Sequence, residues 1–182
     1  MSSANPGARA VEKLEIDDVF MIEALCEIDH DINPLEEQVE VTSFHRLVVE
    51  DQVVEQVRTT DPEGGSDIPF YRFFATGEVL ILKKGVIPKE ELPTKEELLA
   101  RLKLGFAADY RCNEGEALSE EEMSAFRRNV AFNVWSYWRE AVHNCCARMR
   151  LPKVTIPMYK PQGKTVKQVS SDVGDTPSTG RE

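Results

Sequence analysis

The sequence of 182 residues lacks the features that define several large classes of protein. It has no apolar run long enough to cross a membrane, and its first ten residues, MSSANPGARA, lack the apolar core of a signal peptide. Lys and Arg number 22 against 32 Asp and Glu, and the formal net charge of -10 argues against a general nucleic-acid binder. We therefore expect a cytoplasmic protein without a membrane span, which binds no nucleic acid and attracts basic partners.

The sequence also lacks the common motifs of enzymes and metal sites. It contains no G-x-G-x-x-G, no P-loop and no H-E-x-x-H, and its four cysteines form no C-x-x-C pair or zinc-ligand spacing. His143 lies beside Cys145 and Cys146, as in some nucleophile pairs. On a helix, however, side chains two positions apart point about 200° away from each other, so His143 cannot easily orient Cys145. Cys146, three positions from His143, is within reach, but we expect it to face the packed side of the helix. We predict reduced thiols, no catalytic residue, no metal site, no cofactor and no enzyme activity.

Length and composition fit one domain with a substantial core. Hydrophobic residues make up 41% of the chain, which suffices for one domain of this length but not for two. The small and polar residues at 1–12 predict a disordered N-terminus. The polar tail at 161–182 predicts disorder as well, which leaves a single domain over 13–160.

Alternation of apolar and polar residues predicts four strands before residue 113. They cover residues 20–28, 39–49 with an extension to 57, 70–75 with an extension to 82, and 102–112. A loop rich in Gly and Pro at 61–67 separates the second and third strands. A long connection over 83–95 precedes the fourth strand, and Thr94 with Glu97 predicts one capped helical turn there.

A long helix is predicted from Ser119 to about Arg150. Ser119 and Glu122 have the spacing of a capping box, and Pro152 cannot continue a helix. The segment at 153–156 is then predicted to be extended.

This predicted helix is apolar on two stripes. The first consists of Met123, Phe126, Val130, Val134, Tyr137, Ala141 and Cys145, and the second consists of Trp135, Trp138, Val142, Cys146 and Met149. One sheet covers one stripe, so the other requires a second surface, and a partner subunit is the expected cover. We predict that the oligomer interface contains Trp135, Trp138, Val142 and Met149.

Two motifs in and after this helix resemble the SecB-like export chaperones and their relatives encoded beside toxin–antitoxin pairs. The family's long helix carries an aromatic-Pro-Tyr-x-Arg-Glu run, and residues 135–140 read WSYWRE. Further on, the family has an aromatic residue or Leu followed by Pro-x-Leu/Val-x-Leu/Ile, and residues 151–156 read LPKVTI. The sequence departs from the family pattern at Ser136, where proline is usual, and beyond Tyr159, where no second helix is indicated.

The resemblance implies an α+β fold, in which a four-stranded antiparallel sheet carries the long C-terminal helix on one face. It also implies an ATP-independent holdase chaperone that forms a homo-oligomer, a dimer of dimers, and binds unfolded client polypeptides. Clients of the family include preproteins awaiting export, which involves an export motor ATPase, and, in the toxin-linked relatives, unstable antitoxins.

Four aromatic residues within 70–74 point to a client-binding groove. Alternation sends Tyr71 and Phe73 to one face of the third strand and Phe70 and Phe74 to the other. Only one pair can lie under the helix, so the other is free to line a groove together with Phe44. We predict that clients bind at Phe44, Phe70, Tyr71, Phe73 and Phe74, with Tyr71 and Phe73 as the pair to test by substitution. Burial of the free pair in a subunit interface is the alternative.

Two other functions remain open beside the holdase. The first is a dedicated interaction or assembly protein that has kept the SecB-like fold and binds one specific folded partner in a salt-sensitive complex. The second is a small-molecule enzyme on the same α+β frame, which a cluster of perturbed polar groups in a cleft would favour.

Overall fold

The computed structural model describes residues 5–29, 42–59, 67–87, 91–113 and 117–159. Two helices and four strands follow one another along the chain. They are α1 (Pro6–Lys13), β1 (Leu14–Ile28), β2 (Ser43–Thr59), β3 (Asp67–Leu82), β4 (Leu98–Cys112) and α2 (Glu120–Arg148). A short 3-10 helix at Lys95–Glu97 lies in the connection between β3 and β4, and Thr94 with Glu97 forms its capping box, as predicted.

The four strands form one antiparallel sheet in the order β1-β4-β3-β2. The two central strands pair along nearly their full length, from Phe70 opposite Arg111 to Leu82 opposite Leu98. The outer strands β1 and β2 form the two edges. The predicted α+β fold, with a four-stranded antiparallel sheet and a long helix on one face, is confirmed.

The first strand is longer than its sequence pattern indicates. It begins at Leu14 rather than near Phe20, because register shifts between Ile16 and Asp18 and between Met21 and Glu23 interrupt the alternation. A bulge puts two residues opposite one, so a period-2 pattern loses its phase there. A similar irregularity interrupts β2 between Val49 and Val53.

Helix α2 covers one face of the sheet with a side chain from nearly every turn. Its buried positions recur at intervals of four residues: Glu122, Phe126, Val130, Val134, Trp138, Val142 and Cys146. Four residues rotate about 400° around a helix axis, so this stripe advances about 40° per step around the helix. The buried stripe therefore begins in the first predicted stripe, at Phe126, and ends in the second, at Cys146.

Because the buried stripe moves around α2, part of the predicted oligomer interface is wrong. Trp138 and Val142 are buried in the core of the single chain and do not face a partner subunit. Trp138 lies on Gly77 of β3, where a side chain at residue 77 would overlap the indole ring. Trp135 and Met149 are only partly buried and pack against the edge of the core.

The chain itself covers much of the second stripe. Residues 151–159, which we call the strap, contain no helix or strand and turn back along α2. The side chains of Leu151, Val154 and Ile156 are buried in the same core as the helix. A partner subunit is therefore not required to cover this side of α2.

The predicted disorder over residues 1–12 is wrong for residues 6–12, which belong to α1. The Asn5 side chain accepts a hydrogen bond from the Gly7 amide, and Pro6 occupies the first turn, where its missing N–H has no cost. Ala10 is completely buried, and Arg9 and Lys13 form ion pairs with Glu122 of α2. Residues 1–4 and the predicted tail at 161–182 lie outside the described residues.

Candidate functional site

Two of the predicted client-binding residues belong to the core. Tyr71 and Phe73 are on the face of β3 beneath α2 and are fully buried. The Phe73 ring lies 5.6 Å from the Tyr110 ring and 5.7 Å from the Phe126 ring, measured between centroids. The hydroxyl of Tyr71 accepts a hydrogen bond of 2.9 Å from the amide of Leu118, just before α2. The placement of Tyr71 and Phe73 in an open groove is thus wrong, because this is the face that the helix covers.

The other pair lies on the outer face of the sheet, away from α2. Phe70 is buried and Phe74 is half-buried. Arg72 lies between them on the same face and forms a two-pronged hydrogen bond with Asp109, at 2.6 and 2.7 Å. The Arg72 guanidinium also lies 5.1 Å from the centroid of the Phe20 ring. Phe70 and Phe74 are therefore separated by an ion pair and do not form one continuous apolar groove.

A second group of paired charges lies further along the outer face. Glu78 is buried between Arg46 and Arg101, whose side chains donate hydrogen bonds of 2.9 and 2.8 Å to its two oxygens. Burial raises the pKa of Glu78, but the hydrogen bonds and charges of the two arginines outweigh it and hold this pKa below its ordinary value. The group joins β2, β3 and β4 and closes this part of the face to apolar ligands.

Beyond these charges, Phe44 lies at the edge of an open notch whose wall is partly apolar and partly polar. The notch has a volume of about 60 Å³ and forms where the connection between β3 and β4 folds against the sheet. Its lining consists of Phe44, Leu82, Val86, Ile87, Glu91, Leu92, Pro93, Thr94 and Glu97. Ile87 and Leu92 are 78% and 68% exposed, so the connection presents two large aliphatic side chains to solvent. The carboxylates of Glu91 and Glu97 give the notch an acidic rim.

Sequence reasoning missed Ile87 and Leu92 as surface residues of the notch. The available signal was two large aliphatic residues in a segment that also contains Gly85, Pro88 and Pro93. Such a segment contributes no strand or long helix that would bury them, and long connections in compact domains are often functional.

An aromatic cluster lies on the other face, where α2 passes the edge strand β2. It contains Trp135, Trp138 and His45, and Trp138 is its fully buried member. The Trp135 ring lies 5.0 Å from the Trp138 ring and 6.4 Å from the His45 ring. Burial lowers the pKa of His45, which favours the neutral imidazole. The end of the strap lies over Trp135, whose indole N–H donates a hydrogen bond of 2.9 Å to the carbonyl of Pro157.

The edge strand β1 carries apolar side chains that the described residues leave uncovered. Ile16, Met21, Ile22 and Leu25 are between 43% and 52% exposed. They are spread over both faces of the strand, and β4 pairs with only one side of its backbone. A long apolar edge strand is a site where another polypeptide can pair.

Cys145 and Cys146 lie near the C-terminal end of α2, Cys26 lies on β1, and Cys112 is the last residue of β4. Burial, together with the charge and hydrogen bond of the neighbouring Cys145 thiol, raises the pKa of Cys26 to about 11. Burial also raises the pKa of Cys146 to about 11, whereas His143 is exposed. A pKa this high disfavours the thiolate, which is the nucleophilic form. Among the described residues, no group of three or more His, Cys, Asp or Glu is arranged to hold a metal ion.

Comparison with known proteins gives similarity at the level of structure. No protein-family model matches the chain, and no curated protein is significantly similar to it in sequence. Among solved structures, it is similar to a SecB-like chaperone from Mycobacterium tuberculosis in complex with a ChAD peptide from the HigA1 antitoxin. The similarity covers 85% of this chain and 96% of that chain, with a TM-score of 0.59 and 20% sequence identity.

Within the part of the chain that the structure describes, no helix combines the length and apolarity needed to cross a membrane. The order of the elements, the antiparallel sheet and the long helix on one face agree with the similar structure. The chain therefore has the fold of the SecB-like chaperones.

Proposed function

We propose that the protein is an ATP-independent holdase chaperone that binds extended, non-native polypeptide segments. The observation that carries the proposal is the notch beside Phe44, where the aliphatic side chains of Ile87 and Leu92 expose most of their surface next to carboxylates. Exposed apolar surface with a polar rim is typical of a site that binds protein. No catalytic step and no cofactor form part of this function.

The size of the notch favours a particular kind of anchor. An apolar cavity of about 150 Å³ binds a benzene molecule. The notch, at about 60 Å³, fits the end of an aliphatic side chain better than an aromatic ring. Its acidic rim, on a protein with a net charge of -10, favours basic residues beside that anchor. We therefore infer a client segment with an aliphatic residue flanked by Lys or Arg.

The similar structure favours a short, disordered segment of an antitoxin as one class of client, since that chaperone binds an antitoxin peptide. Preproteins awaiting export, an export motor ATPase and a cytoplasmic location remain predictions from the family resemblance.

We further propose that the protein forms a homo-oligomer through β1. The side chains of Ile16, Met21, Ile22 and Leu25 are exposed, and no described strand pairs with the outer backbone edge beside them. Both features favour pairing with a second copy. This surface replaces the Trp138 stripe as the proposed interface. A dimer of dimers requires a second contact, and the exposed parts of α2 around Phe132 and Tyr137 are available for it.

Suppression of aggregation tests the holdase function. Chemically denatured citrate synthase, diluted into buffer without nucleotide, should stay soluble when the protein is present in near-stoichiometric amounts. Replacing Ile87 and Leu92 together by Ser should weaken client affinity by about tenfold, because this removes roughly 1–2 kcal/mol of apolar burial on binding. Light scattering at 360 nm is a convenient readout.

Val11→Ser with Val57→Ser is the matched control, because both valines are large, exposed and distant in sequence from the notch. The control should suppress aggregation as well as the parent. If the control and the Ile87/Leu92 variant lose activity equally, the notch is not the client site. If the parent suppresses nothing, the holdase function is wrong, and the interaction protein with one folded partner takes its place.

A further inference from the structure

Cys26 lies on the face of β1 that α2 covers. In the sheet, Cys26 is opposite Leu102 of β4, which in turn is opposite Val79 of β3. Residues directly opposite one another share a face, and Leu102 and Val79 are completely buried in the core. Cys26 itself is only half-buried, because β1 is an edge strand. Its thiol therefore lies at the margin of the core.

Cys145 lies on the side of α2 that is directed toward β1. Trp135, whose ring is next to His45 of β2, lies about 60° to one side of Trp138 around the helix axis. Cys145 lies about 100° to the opposite side of Cys146, the last residue of the buried stripe. Because β1 and β2 are the two edges of the sheet, the side of α2 away from β2 is the side toward β1. Cys145 is half-buried at the margin of the core, as Cys26 is.

The thiols of Cys26 and Cys145 are in contact through a hydrogen bond. A disulfide brings two sulfur atoms to about 2 Å, so a small rotation of these side chains is sufficient to bond them. Burial and the contact with Cys145 raise the pKa of Cys26 to about 11, so Cys26 keeps its proton at pH 7. The first attack on an oxidant therefore falls to Cys145, since the thiolate is the reactive form.

We propose that Cys145 and Cys26 form a dithiol site that reacts with hydroperoxides and closes to a disulfide between α2 and β1. With hydrogen peroxide, the Cys145 thiolate attacks one oxygen and the O–O bond breaks, which leaves a sulfenic acid on Cys145. The released hydroxide takes up the proton that Cys145 lost and becomes water.

The sulfur of Cys26 then attacks the sulfenic sulfur of Cys145. The S–O bond breaks, and the hydroxide leaves with the proton of Cys26 as a second water. Two thiols and one peroxide thus give one disulfide and two waters, and two electrons pass from the sulfur atoms to the peroxide. The bond ties the edge strand β1, which carries the proposed oligomer surface, to the end of α2.

Oxidation of the full-length protein by hydrogen peroxide tests this site. The mass should fall by about 2 Da, for the two hydrogens lost in a disulfide, and dithiothreitol should reverse the change. Tandem mass spectrometry of the digested protein should place the link between Cys26 and Cys145. The melting temperature should rise by about 5–10 °C, because the link constrains the unfolded chain.

Two variants separate the roles of the thiols. Cys26→Ser should leave Cys145 as a sulfenic acid that dimedone traps. Cys145→Ser should give about fivefold less trapped product, because the remaining Cys26 thiol keeps its proton. Cys112→Ala is the matched control, since Cys112 is opposite Leu14 at the far end of β1, and it should form the link as the parent does. Circular dichroism confirms that each variant is folded.

A link between any other pair of cysteines, or oxidation of the parent to unlinked sulfenic or sulfinic acids, would overturn the proposal. Loss of the link in the Cys112→Ala protein would overturn it as well. No cysteine lines the notch beside Phe44, so the result does not depend on the holdase function.

Discussion

At the scale of single residues, Phe73 and Phe74 are neighbours in sequence but lie in different environments. Phe73 is buried beneath α2, and Phe74 is half-buried on the outer face. Phe73→Ala should lower the free energy of unfolding by about 3–5 kcal/mol, the usual loss for a large aromatic side chain in a core. Phe74→Ala should cost less than half as much. Urea denaturation followed by circular dichroism measures both, and equal losses would contradict the assignment of the two faces.

A second residue-scale prediction concerns Cys26. Its thiol is only half-buried, yet its pKa is raised to about 11. Compared with a free cysteine at about 8.5, the thiolate fraction at pH 7 falls by over two orders of magnitude, and higher intrinsic nucleophilicity restores part of the rate. We expect iodoacetamide to alkylate Cys26 roughly 20-fold more slowly in the folded protein than in urea, as followed by mass spectrometry. Equal rates in the two states would show that its pKa is not raised.

The sequence separates the side chains of the third strand into two faces, but it does not say which face the helix covers. Alternation correctly places Tyr71 and Phe73 opposite Phe70 and Phe74. Both pairs are aromatic, so hydrophobicity alone does not distinguish the covered face. The paired charges of Arg72 with Asp109 mark the outer face, but their contact depends on the register between β3 and β4.

At the scale of secondary-structure elements, the fit between α2 and β3 depends on Gly77. The Trp138 ring occupies the space above this glycine, and an added Cβ atom would overlap it. Gly77→Ala should therefore push the helix away from the sheet and destabilise the protein by about 2 kcal/mol or more. Thermal unfolding followed by circular dichroism measures the loss.

A double-mutant cycle isolates this contact. In a Trp138→Ala background, Gly77→Ala should cost almost nothing, because the ring that it overlaps is gone. Ala75→Gly with Trp138→Ala provides a comparison at a neighbouring residue of the same strand. If Gly77→Ala costs the same with and without Trp138, the two residues do not limit the approach of the helix.

The ends of α2 were predictable, but its covered side was not. The hydrogen bonds of the capping box are present, from the Glu122 amide to the Ser119 hydroxyl and from the Ser119 amide to the Glu122 carboxylate. These are local interactions, and so is the effect of Pro152 at the other end. The course of the buried stripe depends instead on how the helix lies on a twisted sheet and on the strap that returns along it, which are both properties of the tertiary structure.

At the scale of the whole molecule, the homo-oligomer that we propose depends on the edge strand β1. Met21→Glu with Leu25→Glu should lower the molar mass measured by light scattering at micromolar concentration, because charges on both faces of this edge oppose pairing. Val48→Glu with Val57→Glu is the matched control on the opposite edge, β2, where the two valines are similarly exposed. A monomeric parent, or dissociation by the β2 variant alone, would contradict the proposed interface.

The sequence predicted the fold of the whole molecule better than its surfaces. Four periodic segments and one capped helix specify the α+β arrangement, and the motifs at 135–140 and 151–156 connect it to the SecB-like fold. The notch depends on how residues 86–87 and 91–97 lie against Phe44, and the contacts of the aromatic cluster with residues 157–159 depend on the return of the strap. Both surfaces combine segments distant in sequence, so no local pattern identifies them.

The central claim is that the protein binds non-native polypeptides rather than one folded partner. Titration with α-lactalbumin tests it most directly, with the disulfides reduced and carboxymethylated in one sample and intact in the other. The account predicts that, without nucleotide, the unfolded form binds with micromolar or tighter affinity and that the native form does not bind detectably. Failure to bind the unfolded form, or equal binding of both forms, would contradict the account.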